Sequence, residues 1–128
     1  YADAGCMTVY AGTSVEATAE VIGLVMAEFR DLKNNAVLSA ELRRAKDHLK
    51  GSLTLSLEST SSRMSNLARQ EKYFQKWVSL EEVHDGIEAV SAEQVQALAN
   101  SWFQQDSIAL SVLGSLKGLK IERADLAC

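Results

Sequence analysis

The hydrophobic and polar positions of this chain follow a helical rhythm through its middle and a shorter, strand-like one near each end. From Gly5 to Ala11, Cys6, Met7, Val9 and Tyr10 make a compact β-favouring run bounded by glycines, which predicts a strand. Thr13 followed three residues later by Glu16 is a capping box, in which hydroxyl and carboxylate each satisfy a backbone donor left over at a helix start. Beyond it, Val15, Ile22, Val25, Phe29 and Leu32 fall on one stripe of a 3.6-residue period. Gly23 interrupts that stripe at a cost of about 1 kcal/mol relative to alanine, so close packing against a neighbour is its expected use. Lys33, Asn34 and Asn35 end the helix, and Ser39 is placed to cap the next.

Leu42, Ala45, Leu49 and Leu53 continue the helical stripe, with Arg43 and Asp47 as an outward (i, i+4) charge pair. The run Leu53, Leu55, Leu57 also alternates with Thr54 and Ser56, a period-two pattern that read alone suggests a strand. Helix is the preferred reading, because no turn signal separates this run from what precedes it. Ser59 to Ser62 break and recap the chain, and Met64, Leu67, Ala68 and Phe74 mark a further helix ending near Trp77. Two more capping boxes, Ser79 with Glu82 and Ser91 with Gln94, open short apolar series. Leu80, Val83, Ile87 and Val90 form the first; Val95, Leu98, Ala99 and Trp102 form the second. Ile108 to Leu113 then reads as a strand stopped by Gly114, and the remainder as a tail.

The expectation is an α+β fold, with about five helices covering one face of a mainly antiparallel sheet. This chain supplies only two of its strands, at about 5–12 and 107–114. Two strands make a marginal sheet in water, and an unpaired edge invites association, so the remaining strands are expected from other polypeptide. A self-sufficient helical bundle with no sheet would count against this picture.

Composition narrows the function classes. A chain of 128 residues, 47% of them hydrophobic, suits one compact domain. Ordinary usage would give roughly six prolines; there are none, which favours helices. The formal net charge is −4 with both signs interleaved, leaving no basic face for a phosphate backbone, so nucleic acid is not an expected partner. No apolar run reaches the roughly 20 residues that cross a bilayer, and no export signal opens the sequence. A soluble protein is expected, with the cytoplasm open as its compartment. Cys6 and Cys128 lie at opposite ends with neither disulfide nor metal-ligand spacing, and Cys6 is expected as a small buried hydrophobe. Tyr1 stands where an initiator methionine would, directly before strand-like sequence, which suggests a truncated or processed product.

Several residues invite sharper readings. His84 with Glu81 and Glu88 on one helix face would offer three metal ligands, against the plainer reading of a solvated surface. His48 reads as a surface histidine. The serines from Ser52 to Ser65 have no histidine in a recognisable relation to them and no nucleophile elbow, and read as breaks and caps. Gly114-Ser115-Leu116-Lys117-Gly118 resembles a phosphate loop but lacks its full spacing and following helix, so a surface turn is expected. Trp77, Trp102 and Phe103 suit either a peptide groove or core packing, the latter being the ordinary use of aromatics at helical spacing.

The order of elements, together with several short strings, resembles the end of the insulinase/pitrilysin/processing-peptidase family, in particular its compact bacterial members. The strings run from Asp3 and Gly5 into Val9-Tyr10-Ala11-Gly12, through Glu41-Leu42-Arg43-Arg44-Ala45-Lys46 and Leu57-Glu58-Ser59-Thr60, to Ser62-Arg63-Met64 and Leu67-Ala68-Arg69-Gln70-Glu71. Ser79-Leu80-Glu81-Glu82-Val83, Ile87-Glu88-Ala89-Val90 and Val112-Leu113-Gly114 complete the series. None is diagnostic alone; their joint order and spacing carry the likeness. The resemblance implies a two-half clamshell zinc metallopeptidase. Its N-terminal half holds zinc through a His-x-x-Glu-His motif and a downstream glutamate, and its second half closes over an extended peptide.

That motif is absent here, since His48 and His84 are the only histidines. The arginine and tyrosine with which the family's second half assists the reacting carbonyl belong, by the same resemblance, upstream of Tyr1. Residues 1–128 are therefore expected to be the C-terminal part of the second, non-catalytic half-domain, with no catalytic, cofactor-binding or metal-ligating residue of their own. The implied partners are a peptide substrate and the N-terminal catalytic half, in the same chain or a partner subunit; the fragment alone is expected to self-associate. Alternatives are a catalytically inactive peptidase-like scaffold or binding subunit, and a free-standing helical interaction module. The isolated chain is expected to retain no stoichiometric zinc and to cleave no peptide, and metal analysis finding one tightly held zinc per chain would contradict this.

Overall fold

The computed structural model describes residues 4–115 and 118–128. The described residues form five α-helices, α1 (Thr18–Asn34), α2 (Ser39–Ser56), α3 (Thr60–Phe74), α4 (Leu80–Glu88) and α5 (Ala92–Trp102), and two 3-10 turns, Gln105–Ser107 and Arg123–Leu126. The five helices are those the periodicity predicts, and α2 runs unbroken through Leu53 and Leu55, so the period-two pattern there is a helix end.

No strand is present among the described residues, which overturns the expected α+β fold with strands at 5–12 and 107–114. A strand's donors and acceptors point sideways and need a second chain, whereas a helix satisfies its own. Neither segment forms a ladder with another described segment; Ser107 N donates to Gln104 O at 2.8 Å, but that bond belongs to the 3-10 turn before the second segment. Their apolar side chains remain in solvent: Met7 and Val9 are about half exposed, Tyr10 is 93% exposed and Leu113 is fully exposed. Cys6, expected inside, is likewise exposed.

Local chemistry sets the helix boundaries. Ser59 caps α3 by accepting from Ser62 N at 3.4 Å, and Ser79 caps α4 by accepting from Glu82 N at 3.0 Å. Glu82 does not close the second half of that box in the expected way, since its carboxylate accepts from Lys76 Nζ at 2.6 Å. The Thr13–Glu16 box is displaced: Ser14 Oγ accepts from Ala17 N at 3.4 Å, its carbonyl accepts from Thr18 Oγ1 at 2.9 Å, and α1 begins at Thr18. Ser39 is already inside α2, whose N-cap Leu38 offers no side-chain bond. Gln75, in the left-handed region at φ 50°, ends α3. Gly23 is exposed with open space beside its Cα, so the close packing expected of it does not occur.

The chain divides into two compact units. One is built on Leu38–Ala92 and holds α2, α3 and α4, with α2 against α4. None of its described residues is fully buried; Leu42, Leu53, Val83 and Ile87 are partly covered. The other comprises Cys6–Val37 and Glu93–Cys128 and contains the buried residues Met26, Ala99, Phe103 and Leu126. The rings of Phe29 on α1 and Phe103 just beyond α5 stack at 4.1 Å and 5°. Gln96 and Asn100, one turn apart on α5, both donate to Lys33 O at the end of α1, at 3.0 and 2.9 Å, satisfying a carbonyl the helix leaves over. Lys33 Nζ donates to Phe103 O at 2.9 Å and Cys128 O at 2.7 Å.

Residues 119–128, expected as a tail, therefore belong to this core. Leu126 is 5% exposed, the Arg123–Leu126 turn contacts α1, and Glu122 and Asp125 form a reciprocal capping box around it. Phe103→Ala should destabilise this unit by about 3 kcal/mol, the lower range for truncating a buried phenylalanine, and Leu113→Ala by less than about 0.5 kcal/mol. Hydrogen exchange of the α1 and α5 amides would measure both, and equal effects would show the stack to be unimportant.

Candidate functional site

The densest polar cluster in the Leu38–Ala92 unit lies between α2 and the end of α4. The Lys46, Asp47 and Lys50 positions follow one another on a helix face, and Glu88 closes α4 opposite them. Lys46 Nζ donates to Glu88 O at 2.7 Å, placing a cation at the negative end of α4. Lys50 Nζ donates to Glu88 Oε2 at 2.8 Å and lies 3.5 Å from Asp47 Oδ1, while Arg43 sits 4.0 Å from Asp47 as its (i, i+4) partner. One turn before Glu88, His84 Nε2 lies 3.5 Å from Thr54 Oγ1.

This arrangement favours the charged form of both Glu88 and Lys50. The hydrogen bond from Lys50, and then the Lys50 and Lys46 charges, hold the Glu88 carboxyl below its ordinary range; the same bond to Glu88 raises the Lys50 ammonium above its own. Near the start of α1, Glu16 is also held low, first by its own backbone N–H and then by the Ser14 hydroxyl. These are structural pairings between side chains open to water. They stitch two helices together and offer no reactive group.

The trio His84, Glu81 and Glu88 does not fit a zinc ion. Glu88 is engaged by two lysines, His84 faces a threonine, and among the described residues no group of three His, Cys, Asp or Glu is placed to hold a metal. His48 is exposed. Of the serines, Ser56, Ser61, Ser62 and Ser65 line an open depression of about 310 Å³ with Leu57, Asn66 and Arg69, where no histidine stands to act as a base. A second depression, about 400 Å³, lies in the other unit among Leu110, Val112, Leu119, Ile121 and Leu126. Its arginine, Arg123, is committed to the carbonyls of Ile108, at 2.6 Å, and Gln105. Leu116 and Lys117 of the phosphate-loop-like string lie outside the described residues.

Core packing accounts for Phe103 but not for the tryptophans: Trp77 is 66% and Trp102 50% exposed. Met64, Leu67 and Phe74 along α3 are likewise at least half exposed, and Trp77 follows three residues beyond the helix end. The residues that sequence reasoning missed are those paired across long separations: Lys46 and Lys50 with Glu88, Lys33 with Phe103 and Cys128, and Arg123 with Ile108. Spacing along the chain carries no signal of them.

The chain is 36% identical over 106 residues to an uncharacterized zinc protease of Bacillus subtilis, a match that takes in 83% of this chain and 26% of the relative. Over 99 residues it is 37% identical to an uncharacterized zinc protease of Mycobacterium bovis, covering 77% of this chain and 23% of the relative. Over 120 residues it is 33% identical to the beta subunit of the mitochondrial-processing peptidase of Neurospora crassa, covering 93% and 25%. The chain matches the insulinase-clan zinc proteases at family level. No protein-family model matches it, and it spans about a quarter of the length of the curated relatives it resembles. The zinc-protease likeness and the lack of a metal-holding group among the described residues are thus compatible, because most of each relative lies outside the matched quarter. No helix among the described residues is long and apolar enough to cross a membrane.

The polar cluster generates a pH prediction. Glu88 titrates lower in the folded chain than its ordinary value of 4.5, so its contribution is present above that value and is lost as pH falls through the depressed one. Lys50 titrates higher than its ordinary 10.5, so its contribution is present below that value and is lost as pH rises through the raised one. The α2–α4 contact should therefore hold between these limits and loosen in acid. Glu88→Gln should flatten the acid limb, measured by helix circular dichroism at low salt; an unchanged acid limb would assign the loss to other carboxylates.

Proposed function

We propose that this chain builds part of the non-catalytic second half of a zinc-metallopeptidase-like protein and helps to enclose a peptide there. Zinc would be held by residues of the N-terminal half, in the same polypeptide or a partner subunit. Residues 1–128 would be the C-terminal part of that second half. The observation that carries this reading is the set of matches that take in 77–93% of this chain, yet about a quarter of each relative, among proteins named as zinc proteases and a processing peptidase. The protein as a whole would be the enzyme. This segment would supply wall and framework.

The surface supports incorporation into something larger. Counted as two separate compact bodies, a 14.0 kDa chain would expose about 8,100 Å²; this one exposes 10,043 Å². The excess, about 1,900 Å², is more than the roughly 800 Å² that one partner contributes to a standard-size protein interface. The exposed Met64, Leu67, Phe74, Trp77, Tyr10 and Leu113 are natural contributors to it.

Two measurements test the proposal. The full-length protein should cleave peptides, lose that activity to a zinc chelator and regain it with zinc; a zinc-replete full-length protein that cleaves nothing would favour the inactive scaffold. Separately, the isolated chain should self-associate through its exposed apolar surface as concentration rises. Sedimentation equilibrium giving a stable monomer at high concentration would remove the argument from surface area.

A further inference from the structure

We draw no further inference here: the strongest candidate, the exposed apolar stripe of Met64, Leu67 and Phe74 on α3 with Trp77 beyond its end, carries nothing because nothing in the structure shows what covers it.

Discussion

A strand's backbone is satisfied from outside and a helix's from within, and the consequences of that constraint run through the whole chain. Each predicted helix forms, since its hydrogen bonds close within a few residues and its ends are served by local groups such as Ser59 and Ser79. The two strand-like runs, equally apolar, remain extended and exposed because neither bonds to a second strand. β-Propensity measures how well a side chain fits a pleated, half-buried surface; without that surface Met7, Val9 and Leu113 have nothing to fit. The helices leave apolar side chains uncovered as well, among them Leu49, Leu55, Met64, Leu67 and Phe74. The two units differ in this: stacked Phe29 and Phe103, with Met26, Ala99 and Leu126, give one of them a small core, while α2, α3 and α4 share no fully buried residue among those described.

What was legible in the sequence was what local physics decides. Helix positions followed from period and caps, but their starts did not always: α1 begins at Thr18 with no side-chain cap at Ala17 rather than after a Thr13 cap, and Ser39 lies one position inside its helix. What depends on distant residues was not legible. Cys6 reads as buried only if a sheet buries it, Gly23 reads as a close-packing residue only if a neighbour approaches, and Trp77 and Trp102 read as core only if another layer lies above them. The reverse error has the same origin. Residues 119–128 carry no periodicity to mark them as structured, yet Leu126 is buried and Cys128 O accepts from Lys33, 95 residues away in sequence.

The missing sheet bears on the kinship less directly than the expected fold implied. A helical bundle complete in itself would have argued against descent from a sheet-containing half-domain. The described residues hold no sheet, and the chain's surface exceeds that of two compact bodies of its mass. Meanwhile the kinship rests on identities of 33–37% spread over most of the chain, which do not depend on any strand. The fold expectation was wrong for this polypeptide, and the family likeness was right.

The polar cluster between α2 and α4 shows how function and framework divide in such a segment. In an active site, a displaced carboxyl pKa commonly marks a group prepared for proton transfer, held in a cleft near something it can act upon. Glu88 is displaced in the direction that keeps it ionised, by lysines that occupy it, on a surface open to water. Such a carboxylate is a poor base and an unavailable ligand. Its role is to tie the end of one helix to the side of another, and Lys46 on the α4 carbonyl does the same work through the helix dipole. The Lys46 and Lys50 contacts to Glu88 join α2 to α4, while Arg43 and Asp47 pair within α2 alone, so the charges gathered here serve the helices' placement and their own helix face.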